Sequence, residues 1–174
     1  MTVLDILVYP DTRLKQECAE VERFNGELRD FIEDLTHTML AAPGCVGVAA
    51  PQVGKLIRAV LVDVSSKKNV TQHHGRLVLI NPLILEWDGY AMGREGCLSV
   101  PDYTGNVIRA ERITLEAYDV DGMRQEYRME GFEARAVQHE LDHLDGMLFL
   151  DRVVSRRSDL FRRKVYQKPK DVPH

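Results

Sequence analysis

The stretch from Gln138 to Gly146, which reads QHELDHLDG, places two histidines four residues apart in a predicted helix. Residues four apart lie about 40° apart around a helix axis, so His139 and His143 share one face and can hold the same divalent metal. Glu140 lies about 100° round the turn from His139, near enough to reach a water beside the metal but poorly placed to bind the metal itself. The H-E-x-x-H pattern therefore predicts a metal-dependent hydrolase organised around this helix.

The same pattern arises by chance on charged, solvent-exposed helix faces, so its flanks have to be considered. Apolar residues recur around it at helical spacing, at Phe132, Ala136, Leu141 and Leu144. Gly146 is suited to end a helix. These flanks favour a helix with a packed face over a solvated one.

A catalytic metal site usually has three protein ligands and one open position, so a third ligand must lie elsewhere in the chain. No glutamate follows Glu140, which excludes the class of zinc peptidase that uses a downstream glutamate. The longer pattern H-E-x-x-H-x-x-G-x-x-H fits as far as Gly146 but has Phe149 in place of its last histidine. We therefore expect the third ligand upstream, and the candidates are Cys18, Cys45, Cys97, His37, His73 and His74.

The length and the cysteine content predict one cytoplasmic domain. A chain of 174 residues can bury a core that needs no disulfides. Its three cysteines, spaced 27 and 52 residues apart, form neither a disulfide framework nor a paired-cysteine zinc site. We see no targeting segment and no apolar run long enough to cross a membrane, so no membrane partner is expected.

The charge is unevenly distributed along the chain. A net charge of −4 argues against a surface that coats nucleic acid, and we expect no DNA partner. Residues 1–150 carry a net −9, whereas residues 151–174 carry a net +5. We expect a catalytic domain over residues 1–154 and a basic C-terminal helix or tail of the same domain over residues 155–174.

The remaining pattern predicts an α+β fold. A helix begins after Asn25 and ends before Pro43 and Gly44. Short apolar runs bounded by turn residues predict strands at 57–64, 77–80, 83–87, 113–119 and 125–130. We expect a turn at Asn81-Pro82 and a hairpin turn at Asp121-Gly122. Several strands flanking two helices make an α+β arrangement.

Two further stretches contain residues that could take part in chemistry. Residues 44–54 are small and glycine-rich, which lets the backbone pass close to another group, and Gln52 is a versatile hydrogen-bonding side chain among them. Cys97 lies in the stretch EGCLS, where a cysteine is most often a small buried apolar residue. A thiolate at Cys97 would instead complete a Cys-His-His site with one open coordination position.

The stretches GCVGVAAPQ, EGCLS and QHELDH, in this order, resemble the motifs of the peptide deformylase family, whose members remove the formyl group from the initiator methionine. The resemblance covers all but the two ends of the chain. It implies antiparallel sheets around a central helix that carries H-E-x-x-H. One position departs from the family pattern, because Cys45 stands where the family usually has a glycine.

The resemblance also implies a ligand set and a metal. It makes Cys97, His139 and His143 the ligands, with Glu140 as the acid–base residue. Cysteine and histidine donors by themselves suggest zinc, whereas the family resemblance implies one Fe(II) per chain, with Zn, Ni or Co as substitutes.

The other roles that the resemblance implies concern the formyl oxygen and the support of the site. Gln52 and the backbone amide of Leu98 are expected to donate hydrogen bonds to the oxygen as it gains negative charge. Glu95 and Arg109 are expected to form a supporting ion pair.

The expected substrates are N-formylmethionyl peptides. A close wall of small groups such as Gly47 would admit a formyl group and exclude an acetyl group. Phe132 and Ala136 lie about two turns and one turn before His139, so we expect them to form an apolar methionine pocket together with Val46.

Three alternatives stay open at this point. One is an endopeptidase, which digestion of casein would reveal. Another is a binding module with a structural metal closed by a fourth ligand such as Cys45, although this leaves Glu140 without a role. The third concerns the basic segment, which either packs on the domain as a helix or holds the enzyme near ribosomal RNA, where formylated chains emerge.

Overall fold

The computed structural model of the chain covers residues 2–163, which form two α-helices, six β-strands and three short 3-10 helices. The helices are α1 (Gly26–Ala41) and α2 (Gly131–Leu144). The strands are β1 (Gly47–Ala49), β2 (Ala59–Val62), β3 (Leu77–Cys97), β4 (Val100–Tyr118), β5 (Arg124–Glu130) and β6 (Leu160–Arg162). The 3-10 helices lie at Thr12–Lys15, Ala50–Val53 and Phe149–Asp151.

The strands are joined in antiparallel pairs in the order β1-β2-β3-β4-β5, and β6 pairs with β4 away from this path. Strands β3 and β4 form a long hairpin that turns at Leu98 and Ser99, with Cys97 paired opposite Val100. β4 pairs with β6 at residues 103–105 and with β5 at residues 112–118, so its two ends have different neighbouring strands. The hairpin therefore carries Cys97 at its tip.

Strand β2 is buried on both faces because its side chains alternate between two core clusters. Val60 and Val62 belong to the cluster formed with α2, whereas Ala59 and Leu61 belong to the cluster formed with α1. Helix α2 is consequently enclosed, and 10 of its 14 residues are buried. Charged side chains on such a helix need partners inside the protein.

Helix α1 begins and ends close to the predicted positions, and α2 ends close to Gly146 as predicted. The Asn25 side chain accepts a hydrogen bond from the Leu28 backbone N–H at 3.1 Å, which caps the start of α1. Helix α2 ends at Leu144, and Gly146 has a φ of 72°, the left-handed conformation that glycine adopts without strain. A Cβ atom at Gly146 would also lie 2.6 Å from the carbonyl oxygen of Lys15, so the position has no room for a side chain.

The turn predicted at Asn81-Pro82 is wrong, because β3 continues through these residues as one strand. The pairing of β3 with β4 shifts between Ile80 and Leu83, so the two residues form an irregularity in the ladder. Asn81 has a φ of 48°, and its side chain both accepts from and donates to the backbone of Val21, at 2.8 and 2.9 Å. These contacts take the place of regular strand pairing.

The sequence predicts a basic C-terminal helix or tail over residues 155–174, and the part of it that the structure describes, up to Arg163, contains no helix. Turns precede β6, a strand over Leu160–Arg162, and the Arg163 N–H donates to the carbonyl of Asp102 at 2.7 Å. The open edge of β4 at residues 103–105 supplies strand partners, which favours an extended segment over a helix. The remaining basic residues, from Lys164 onward, lie outside the described residues, as does Val165.

Neither of the two α-helices described is long and apolar enough to pass through a lipid bilayer.

Candidate metal centre

The tip of the β3–β4 hairpin meets helix α2 at three side chains that can bind a metal. One donor atom from each of Cys97, His139 and His143 lies within 4.8 Å of the other two. All three residues are buried, with His143 only 1% exposed. A thiolate and two imidazoles are suitable ligands for a transition metal, and three protein ligands leave room for a substrate or a water.

The orientation of His139 is set by a carboxylate. Its Nδ1 lies 2.8 Å from an Oε of Glu95, so the neutral imidazole carries its proton on Nδ1 and presents the lone pair of Nε2. His143 approaches from the next helical turn, with its Nε2 3.4 Å from the Cys97 sulfur. Burial holds the pKa of His143 well below its ordinary value, which keeps this imidazole in the neutral form that binds metals.

The charged groups around Cys97, His139 and His143 favour the binding of a cation between these side chains. Burial alone would lower the pKa of His139, but Glu140, Cys97 and Glu95 raise it well above its ordinary value. The surroundings of His139 therefore stabilise positive charge. A divalent metal bound to the same donors supplies that charge, so the residues present fit a metal ion.

The ion pair predicted between Glu95 and Arg109 is present and belongs to a larger buried network. Arg109 donates to the two carboxylate oxygens of Glu95 at 2.8 and 2.9 Å and to Asp142 at 2.5 Å. Arg135 donates to Glu95 at 2.8 Å, and Arg152 donates to Asp142. Burial opposes ionisation of Glu95, but the hydrogen bonds from Arg109 and His139 lower its pKa well below the usual range. Glu95 is thus an anion that orients His139.

Glu140 lies beside the three donors without joining them. Its side chain is buried, and Oε1 has no hydrogen-bond partner among the residues described. Burial raises the pKa of Glu140 to about 7, and a divalent cation nearby would favour its charged form. Gly47 packs directly against it, since a Cβ atom there would lie 2.7 Å from an Oε of Glu140. The small residues predicted to allow a close backbone approach do so against this carboxylate.

The Gln52 side chain is fixed at both ends of its amide. Its oxygen accepts from the Ala49 N–H at 2.9 Å, and its nitrogen lies 3.3 Å from the Cys97 sulfur and 3.0 Å from the Ser99 hydroxyl. One amide hydrogen therefore points to the Cys97 sulfur and the other to the Ser99 hydroxyl. Leu98 occupies the hairpin turn between Cys97 and Ser99.

A cavity of about 350 Å³ opens beside the metal-binding group. Its lining includes every residue predicted to contact substrate, namely Val46, Gly47, Gln52, Leu98, Phe132 and Ala136. Glu140 and His139 line it as well, whereas Arg109 lies behind Glu95 and outside the lining. The sequence-predicted residues are thus gathered around one opening.

The other candidates for the third ligand lie elsewhere or are otherwise engaged. Cys18 packs in the core cluster around α2, and His74 bonds to Glu133 at 2.7 Å. Cys45 lines the cavity but is not part of the three-donor group, and its thiol donates to the Gly47 carbonyl at 3.1 Å. Burial raises the pKa of Cys45 to about 11, which keeps it a thiol. In the described range nothing supports a closed site with Cys45 as a fourth ligand.

Sequence reasoning missed several residues at the site, including Ser99, Asp142, Arg135 and Arg163. Ser99 accepts a hydrogen bond from Gln52, Asp142 and Arg135 join the ion-pair network, and Arg163 lines the cavity. Asp142 and Arg135 lie three residues after and four residues before His139, so their helical spacing was an available signal. Ser99 and Arg163 carry no comparable signal, because they reach the site through the hairpin turn and through β6.

Comparison with known proteins places this site in a family. The sequence pattern of the family described as polypeptide deformylase matches residues 3–159. A peptide deformylase of Syntrophobacter fumaroxidans is 42% identical over 172 residues, which cover 99% of this chain and 99% of that protein.

Solved structures show the same fold. The peptide deformylase from Thermotoga maritima has a TM-score of 0.82 and 36% identity, covering 89% of this chain and 100% of that one. A class I type b peptide deformylase from Acinetobacter baumannii with Met-Ala-Ser bound has a TM-score of 0.82 and 35% identity, covering 87% of this chain and 99% of that one. The predicted α+β deformylase fold is confirmed, and the chain belongs to the polypeptide deformylase family.

Proposed function

We propose that Cys97, His139 and His143 hold one catalytic Fe(II) in this peptide deformylase, which removes the N-formyl group from the initiator methionine of nascent polypeptides and releases formate. The activity follows from membership of the family. The observation that carries the assignment of residues is the group of three buried donors beside an open cavity that also contains Glu140. The choice of iron comes from the family resemblance, since the donor types also suit Zn, Ni or Co.

We assign the proton transfers to Glu140. A divalent metal, when bound, acidifies water and polarises a carbonyl oxygen. Glu140 takes the proton from the attacking water and later gives it to the nitrogen that leaves as a free amine. Its buried carboxylate has an oxygen without a partner in the described residues, and burial raises its pKa, which helps it to take up as well as to release a proton.

We assign the stabilisation of the formyl oxygen to Gln52 and the Leu98 backbone amide. Removing one such donor typically costs about 3 kcal/mol of transition-state stabilisation. The Ala49 N–H and the Ser99 hydroxyl hold the Gln52 amide in place, so the N–H directed at the Cys97 sulfur is the one left to donate to the formyl oxygen. Leu98 follows Cys97 at the hairpin tip and lines the cavity, which supports this role for its backbone amide.

The cavity suits a formylated methionine. Val46, Phe132 and Ala136 supply apolar surface for the methionine side chain, and Gly47 leaves space for the hydrogen of a formyl group. The similar enzyme from Acinetobacter baumannii has Met-Ala-Ser bound, a peptide that begins with methionine. This chemistry supports N-formylmethionyl peptides as the substrates.

The cellular setting belongs to the proposal as well. A deformylase acting on nascent chains would work in the cytoplasm beside the ribosome. The net charge of +5 over residues 151–174 suits contact with ribosomal RNA, in contrast to the net −9 of the preceding residues.

Formate release from formyl-Met-Ala-Ser tests the activity, measured without oxygen and with added Fe(II). We expect the Glu140→Ala variant to keep its metal and to lose roughly 10² to 10⁴ in rate, because only proton transfer is removed. Loss of the metal together with the rate would contradict the separation of roles. Casein serves as a control substrate, and its digestion would indicate an endopeptidase instead.

A further inference from the structure

The last residue described, Arg163, reaches the cavity from outside the motifs. It lines the opening together with Cys97 and Gln52. One of its terminal guanidinium nitrogens lies where a side chain at Gly96 would begin, so it rests against the backbone next to Cys97. Its Nε atom is buried without a hydrogen-bond partner among residues 2–163. A buried N–H group normally donates to a hydrogen-bond acceptor, and the described residues supply no acceptor for the Arg163 Nε–H.

Strand β6, which ends one residue before Arg163, directs the Arg163 side chain towards the cavity. Phe161 pairs opposite Thr104, and the guanidinium of Arg94 lies 3.7 Å from the centre of the Phe161 ring. Side chains alternate along an extended segment, so Arg163 faces the same side as Phe161 while Arg162 faces solvent. Arg162 therefore faces solvent, whereas Arg163 faces the cavity.

The rim of the cavity carries an excess of positive charge. Its cationic residues are Lys67, Arg94, Arg135 and Arg163, whereas its carboxylates are Glu95 and Glu140. Arg135 is already paired with Glu95, and Glu140 lies buried near the metal ligands. Lys67, Arg94 and Arg163 form no ion pair within the part of the chain described. A negatively charged group at the rim would be attracted to them.

The formylated methionine cannot supply that negative charge, because a formyl amide is neutral. The residues that follow methionine in the peptide can supply it when one of them carries a carboxylate side chain. We propose that Arg163 is a specificity-determining residue that binds a carboxylate on one of the two residues after formyl-methionine. The inference rests on the proposed function, and it predicts a preference for acidic over basic residues at these positions.

The test uses amidated peptides of the forms formyl-Met-Ala-X-amide and formyl-Met-X-Ala-amide, where X is Asp, Asn or Lys. For the wild-type enzyme we expect kcat/KM to be roughly tenfold higher with Asp than with Lys in at least one series, as for a hydrogen bond to a charged group. Arg163→Gln should bring this ratio close to one, and Arg163→Lys should retain part of it. The matched control is Arg162→Gln, one residue away on the solvent side, which should keep the wild-type ratio.

Turnover of the Asn peptides by the wild-type enzyme reports on the proposed function separately, since its absence would refute deformylation itself. Several outcomes would overturn the inference about Arg163. These are a ratio near one in the wild type, an equal fall for all peptides in Arg163→Gln, or the same change in Arg162→Gln. If Arg163→Gln changed only the inhibition by added formate, Arg163 would bind the carboxylate of the product. That result would also overturn the inference.

Discussion

His139 and Glu140 are neighbours in α2, but their side chains lie in different surroundings because successive residues of a helix point in different directions. His139 bonds through Nδ1 to Glu95 and so presents Nε2 to the metal-binding group. Glu140, the next residue, packs against Gly47 and has one carboxylate oxygen free of partners in the described range. A rotation of about 100° per residue is enough to separate His139, the proposed ligand, from Glu140, the proposed acid–base residue.

The two cysteines of the cavity provide a test of the ligand assignment. We expect Cys97→Ala to abolish stoichiometric metal binding, because only two donors of the group would remain. Cys45→Ala should retain the metal, since its thiol is protonated and donates to the Gly47 carbonyl. Metal analysis of the purified variants measures this, and equal metal content in both would remove Cys97 from the ligand set.

Gly47 is expected to control the position of Glu140. In Gly47→Ala the new Cβ would lie 2.7 Å from the carboxylate, so Glu140 has to move away from its place beside the cavity. We expect kcat/KM to fall by roughly 10²-fold or more, as when an acid–base residue is misplaced, with the metal content unchanged. Gly26→Ala is a control because no atom lies within 4 Å of its added Cβ. Full activity in Gly47→Ala would show that the carboxylate can shift at no cost.

At the scale of elements, the three metal-binding side chains come from the tip of one hairpin and from one helix. The helix could be predicted, since the spacing of His139 and His143 and the Gly146 stop are local properties of the sequence. The continuous strand β3 could not, because the irregularity at Asn81 depends on hydrogen bonds with Val21, 60 residues away along the chain. Sequence patterns reflect local conformational preferences, whereas the continuation of β3 through Asn81 depends on long-range contacts.

Arg109 joins these elements, and its removal is expected to destabilise the protein. It lies on β4 and bonds to Glu95 on β3 and to Asp142 on α2, where all three side chains are buried or nearly so. Arg109→Met would leave Glu95 with Arg135 and Asp142 with Arg152 as the remaining cationic partner, at a cost of up to about 3–5 kcal/mol in the free energy of unfolding.

Urea unfolding of the metal-free protein measures the effect of Arg109→Met. The matched control is Arg112→Met on the same strand, because Arg112 pairs with Asp88 where both side chains are more than half exposed. Exposed ion pairs contribute little to stability, so the control should unfold close to the wild-type midpoint. Similar losses in the two variants would contradict a structural role for the buried network.

At the scale of the whole molecule, the α+β class and one catalytic centre could be predicted from the sequence, but the path of the C-terminal segment could not. The short segment 155–163 has one adjacent apolar pair, Leu160 and Phe161, between two pairs of arginines, a pattern compatible with a helix or a strand. The open edge of β4 decides between them, and that edge exists only once the long hairpin has formed. The same pairing brings Arg163 to the cavity, so the basic segment contributes to the site as well as to the surface.

The proposed contact with the ribosome concerns the exposed part of this segment. Ending the chain at Val154 would delete β6 and Arg163 together with the basic charge, so point substitutions separate these effects. Arg156 and Arg157 are exposed and precede β6, which makes Arg156→Gln combined with Arg157→Gln a change of charge that spares the strand.

We expect the unaltered chain to co-sediment with ribosomes at low salt and to dissociate steeply as salt rises, because binding to RNA phosphates releases counterions. The double variant should bind more weakly and show a shallower dependence on salt, since it makes fewer phosphate contacts. Deformylation of formyl-Met-Ala-Ser by the double variant provides the control for correct folding. Binding that is unchanged in the double variant, or that does not fall with salt, would show that these arginines do not hold the enzyme on the ribosome.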